Sequence, residues 1–159
     1  DIVIDSSNLN IHQLDKKIIE VFGSENDADL KVNILSFGYK YGIPVDADLV
    51  MDCRFIPNPH WIPELRPLNG LDKPVSDNVL MAENVAEFLD KYQDLFQTMS
   101  NGFINEGRKF LTLGVGCTGG KHRSVAIGEE LARRLNGKVH DSGKKISAVT
   151  IHRDLGREV

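Results

Sequence analysis

Several things are scarce in this 159-residue chain, and each scarcity excludes something. There are two cysteines, Cys53 and Cys117, too few for a disulfide framework. They read as reduced thiols of a cytoplasmic protein. No apolar run approaches the length of a membrane span, and no secretory signal is visible, so no membrane is expected as a partner. Basic residues are in deficit, 19 against 23 acidic, for a net charge of −4. A generic nucleic-acid binder carries the opposite balance, although a local basic face remains compatible with it. The sequence shows no internal repeat and no low-complexity tract. It suggests no metal cluster and no cofactor motif.

What is present is ordinary globular composition, 41% hydrophobic and 26% charged, in a length that suits one domain over residues 1–159. The opening Asp1-Ile2-Val3-Ile4-Asp5 reads as the middle of a longer protein. Ile2–Ile4 suggests a strand, and Asp5-Ser6-Ser7-Asn8 a cap for a helix over about Ile11–Phe22. Lys31–Phe37 reads as a strand, and another is centred on Leu49-Val50-Met51 within Ala47–Phe55. Ile56–Pro74 carries Pro57, Pro59, Pro63, Pro67 and Pro74, which argues against helix or central strand. Its apolar residues predict an ordered loop, with Trp61 anchoring it in preference to serving as a base-stacking platform. Asp77–Asn105 is mostly helical, in one or two pieces, with an apolar stripe of Val85, Phe88, Leu89, Tyr92 and Phe96. Phe110–Val115 is a buried strand, Ser124–Leu135 a helix, Lys138–Gly143 a turn and Ile146–His152 a last strand. The alternation predicts an α/β fold, a three-layer sandwich with a mostly parallel sheet.

The densest chemistry lies in Gly116-Cys117-Thr118-Gly119-Gly120-Lys121-His122-Arg123-Ser124. A strand runs into a glycine-rich loop and the loop into a helix, so amides and helix N-terminus face one spot and favour an anion, above all a phosphate. Gly119 and Gly120 allow close backbone approach. Arg123 can fork two oxygens, Lys121 and His122 add charge, and Thr118 and Ser124 offer hydroxyls. The Cys117-x5-Arg123-Ser124 spacing also resembles the loop of cysteine-dependent phosphatases, in which the thiolate attacks phosphorus. Gly116 departs from that pattern by replacing a histidine. Cys117 reads equally as a small buried residue. A Walker A loop would need glycine where Val115 stands and Ser or Thr where His122 stands. Asp52, Arg54, Asn58, His60 and Arg66 cluster near the proline-rich loop. Asp52-Cys53-Arg54 ends its strand as the cradle ends its own, so the two are expected to face each other, with Arg54 or His60 reaching the ligand. Asp46 and Asp48 read as turn and capping residues.

Longer motifs carry a resemblance. Ser36-Phe37-Gly38-Tyr39-Lys40-Tyr41-Gly42-Ile43-Pro44-x-Asp46-Ala47-Asp48, Asp52-x-Arg54-Phe55-x-Pro57-Asn58-Pro59-His60-Trp61, Leu65-Arg66-Pro67-x-x-Gly70-Leu71-Asp72-Lys73-Pro74-Val75 and the cradle together resemble the C-terminal domain of the RapZ/YvcJ family. The family's N-terminal P-loop nucleotide-binding domain, with its Walker A motif, is not in this sequence. The resemblance implies a phosphofructokinase-like fold and a regulatory, non-enzymatic domain. It implies binding of an amino-sugar phosphate such as glucosamine 6-phosphate, and coupling to small regulatory RNA as an adaptor for an endoribonuclease. A homo-oligomer is expected. Carried over residue by residue, the metabolite site is His60, Thr118, Gly119, His122 and Arg123, with Asp52, Arg54 and Cys117 close by. The RNA face holds Lys40, His60, Arg66 and the cradle's rim, to which Lys73 is added as a neighbouring cation. Two departures from RNA-binding members are the mixed-charge end His152–Val159, in place of a basic tail, and Tyr41 in place of a histidine. Three functions follow for testing: the metabolite-binding domain, a phosphatase using Cys117 and Arg123 with Asp52 or Asp72 as acid, and an RNA adaptor alone.

Overall fold

The computed structural model describes residues 28–137 and 143–157, together with Ser7, Asn10, Ile11, Gln13 and Leu14. The strand expected at Ile2–Ile4, most of the helix expected at Ile11–Phe22 and most of the Lys138–Gly143 turn lie outside the described residues. Ile11 begins helical, and its cap is Asn10 rather than the Asp5–Asn8 run. The Asn10 side chain accepts the Gln13 amide at 2.9 Å, and the Gln13 side chain accepts the Asn10 amide at 3.0 Å. This reciprocal pair is a capping box, which satisfies two otherwise orphaned donors.

Among the described residues four strands form one sheet: β1 (Leu30–Gly38), β2 (Leu49–Asp52), β3 (Phe110–Cys117) and β4 (Ile146–His152). Their order is β2-β3-β1-β4, and every pair is parallel. β1 and β3 are buried along nearly their whole length, which is why they read as apolar runs with little alternation. Leu30, Val32 and Ile34, beside Leu111, Leu113 and Val115, share one core with residues of three helices. These are α1 (Lys73–Leu80), α2 (Val85–Asn105) and α3 (Arg123–Leu135). They contribute Val75, Val79, Val85, Leu89, Phe96, Ile127 and Leu131 to it. Each such fully buried side chain contributes about 1.5–3 kcal/mol.

Asn33, Leu35 and Phe37 alternate with those core residues and are buried too. The segment from Tyr39 to Asp48 borders β3 there. Tyr39 meets the Phe37 ring edge-on at 4.9 Å, and Asp48 accepts the Thr112 amide at 2.7 Å and donates its own amide to the Thr112 carbonyl at 2.9 Å. The sheet is thus the middle layer of an α/β sandwich.

One expectation is corrected. Helix α1 starts at Lys73, inside the stretch read as proline-rich loop, and not at Asp77. Pro74 lies in the first turn, where a missing N–H costs nothing, and Asp72 is the N-cap. The break before α2 is at Asn84, which takes a left-handed conformation at φ 67°.

Candidate anion site at the strand ends

Parallel order brings the carboxyl ends of β1, β2 and β3 together, at Gly38, Asp52 and Cys117. The loop from Thr118 to His122 connects β3 to α3, and glycines decide how closely it lies on the strand ends. A Cβ on Gly38 would sit 2.5 Å from the Gly119 carbonyl carbon. Gly120 has φ +73°, and a Cβ there would lie 2.6 Å from the Gly38 nitrogen. The end of β1 is pinned from behind. The buried Asp154 carboxylate accepts the Gly38 amide at 2.7 Å and pairs with Arg153 at 2.8 Å and Arg157 at 3.0 Å. Inside the loop the Cys117 sulfur accepts the Gly120 amide at 3.3 Å and donates to Ser124 Oγ at 3.1 Å.

Arg123 opens helix α3 and is only 5% exposed. Its Nη1 donates to the carbonyls of Arg54 (3.1 Å) and Ile56 (2.9 Å), and Nη2 donates to Thr118 Oγ1 at 3.1 Å. Nε has no protein partner among the described residues. His122, also 5% exposed, has an equally unpartnered Nε2. Burial holds the His122 pKa below its ordinary value of 6.5, and the Lys121 charge adds to this, while the Arg66 and Leu65 carbonyls oppose it. A buried charged N–H without an acceptor is costly.

The predicted residues divide by where the fold puts them. His60, Cys117, Thr118, Gly119, Lys121, His122 and Arg123 line one cavity of about 260 Å³, and so does Lys40. Gly120 and Ser124 do not line the cavity and hold the cysteine sulfur. Asp52 and Arg54 do not line the cavity. Arg54 pairs with Asp52 through Nε and Nη2 (2.7 Å), and its guanidinium lies 3.8 Å from the Tyr39 ring centroid. Only the Arg54 carbonyl serves the site, as an acceptor for Arg123. Arg66 lies outside the lining; its Nε binds the His60 carbonyl at 2.8 Å, and its own carbonyl accepts Lys121 Nζ at 2.9 Å. Lys73 pairs with Asp77 on α1 and lies away from the cavity.

Asn58, read in the sequence as one of the group near the proline-rich loop, lines the cavity, and so does Trp61, which the sequence reading took as an anchor. Asn58 was visible as an Asx residue before Pro59, and its side chain accepts the His60 amide at 3.1 Å. Trp61 is no buried anchor; it is 74% exposed at the cavity. Pro59 is the buried residue of that turn, so the ring is left outside.

The phosphatase-like features of the arrangement are incomplete. A Cβ on Gly116 would lie 2.5 Å from Phe37 and 2.6 Å from Tyr39, so no histidine fits there. Asp52 is held by Arg54, and Asp72 accepts the Asn69 amide at 2.8 Å. Among the described residues no helix is long and apolar enough to cross a membrane.

Residues 30–156 match the family described as the RapZ C-terminal domain. A Thermobifida fusca protein named nucleotide-binding protein is 54% identical over 158 residues, 99% of this chain and 52% of that protein. One of the same name from Saccharopolyspora erythraea is 56% identical, again over 99% of this chain and 52% of its own length. One from Streptomyces coelicolor is 50% identical over 99% of this chain and 51% of itself. The chain thus spans about half the length of the curated relatives it matches. With its cradle and its proline-rich loop inside the matched region, the chain belongs to the RapZ C-terminal domain family.

Proposed function

We propose that this chain is a regulatory binding domain that captures the phosphate group of a small metabolite, an amino-sugar phosphate such as glucosamine 6-phosphate. The observation that carries the reading is the pair of buried, unpartnered nitrogens, Arg123 Nε and His122 Nε2, in residues lining one cavity. Two of phosphate's oxygens can accept Arg123 while loop amides and the start of α3 take the rest. Lys40 and His60 border the same cavity, so small RNA is the second ligand of this reading, with a homo-oligomer presenting it to an endoribonuclease. The phosphatase alternative loses ground because neither Asp52 nor Asp72 is placed as an acid near Cys117.

Titration calorimetry with a hexosamine 6-phosphate tests it. Arg123→Ala removes a buried charged donor, expected to weaken binding by about 1.5–3 kcal/mol, roughly ten- to a hundredfold. Lys121→Ala should cost much less, since its ammonium is already tied to the Arg66 carbonyl. Arg123 also braces two backbone carbonyls, so each variant needs a melting curve, and Arg123→Lys gives a charged control. Equal losses from Arg123→Ala and Lys121→Ala in folded protein would reduce the loop to a diffuse positive potential.

A further inference from the structure

Trp61 is the chain's single tryptophan. It is 74% exposed, yet it lines the same cavity as Arg123 and His122. A large aromatic ring is ordinarily drawn inside, and an exposed one beside a polar cleft is a surface prepared for contact. The turn that carries the ring is braced. Asn58 caps the short turn Pro59–Trp61, Pro59 is buried beneath it, and Arg66 Nε grips the His60 carbonyl at 2.8 Å. The His60 ring meets the indole nearly perpendicular, 84° between planes at 5.3 Å. His60 in turn stands 6.3 Å from the His122 ring on the cavity floor. A polar anion pocket, two imidazoles and an exposed indole therefore follow one another along the cleft.

We propose that Trp61 is the specificity-determining residue of this site, stacking on the face of a single ring carried by the phosphate ester. This rests on the cradle holding the phosphate. A pyranose fits: its hydroxyls point outward and its axial C–H groups leave an apolar face for the indole. The cavity of about 260 Å³ accommodates one ring with its phosphate, being smaller than the sites that take drug-sized ligands. A nucleoside monophosphate, with a ribose and a base, is the bulkier ligand.

The test uses the full 159-residue chain and calorimetry against inorganic phosphate, glycerol phosphate, a hexose 6-phosphate and a nucleoside 5′-monophosphate. The hexose ester should bind about three- to tenfold tighter than glycerol phosphate, the size of a single aromatic contact. In Trp61→Ala that advantage should vanish while inorganic phosphate binds as before, and Trp61→Phe should keep part of it. Trp61 emission should shift with the hexose ester and not with inorganic phosphate. An advantage that survives in Trp61→Ala overturns the proposal while leaving the cradle reading intact, and so does a nucleoside monophosphate that binds tighter than the hexose ester. Failure of every phosphate compound to bind the wild-type chain overturns both.

Discussion

At the scale of single residues, His122 couples the site to pH. Its folded form takes up a proton less readily than the unfolded chain does, because burial and the Lys121 charge both disfavour the cation. The stability that goes with neutral His122 is therefore complete above about 6.5 and is lost as pH falls through and below that value. Thermal melts at stepwise lower pH should show this decline, and His122→Gln should flatten it. An unchanged slope in His122→Gln would assign the decline to other groups. The two cysteines differ at this scale as well. Burial pushes the Cys53 thiol far up, with the neighbouring Cys117 and Asp52 acting in the same direction. Cys117 instead sits in a hydrogen-bonded loop beside the cavity.

At the scale of elements, the cradle is a strand, a loop and a helix fitted together by missing side chains. Gly116 pairs with Phe37 across the β1–β3 ladder, and both ring neighbours crowd its Cα. Gly116→His would complete the phosphatase-like pattern on paper. It should instead destabilise the fold by at least about 1–3 kcal/mol, the usual range for overpacking. It should also give no turnover of an aryl phosphate. Denaturant titration and a chromogenic phosphate assay measure the two effects; a stable, active Gly116→His would revive the phosphatase reading. The same logic explains Gly38, whose strand end touches the Gly119 backbone.

At the scale of the whole molecule, charge sets the expectation for RNA. The net charge is −4, and the structure spends much of its basic surface internally. Arg54 is paired with Asp52, Lys73 with Asp77, and Arg123 is buried. Lys40 and Lys121 line the cavity, with Lys121 on the Arg66 carbonyl, and Arg66 lies outside the lining with its Nε on the His60 carbonyl. Few phosphate contacts give weak binding with a shallow salt slope, about 0.7 per contact on single strands. Filter binding across a salt series should show low affinity at physiological salt, reduced further in Arg66→Ala. Tight binding that persists at high salt would mean recognition by RNA shape, with oligomerisation multiplying a small patch.

The sequence alone determined the features that are contiguous. β1 and β3 show as apolar runs because central parallel strands are buried on both faces, and the cradle shows because its nine residues adjoin one another. Local rules failed where two devices competed: Pro74 read as a breaker but opens α1, and Asn10 caps where Asp5–Asn8 looked suitable. Tertiary structure decided what depends on distant chain. Arg123 is fixed by carbonyls 69 and 67 residues earlier, a partnership no spacing announces. Arg54 turned from expected ligand to backbone acceptor because Asp52 and the Tyr39 ring took its guanidinium. Whether Trp61 faced the core or the cavity depended on which side of a short capped turn met the body of the protein. Pro59 took the inside, and the indole was left exposed at the cavity.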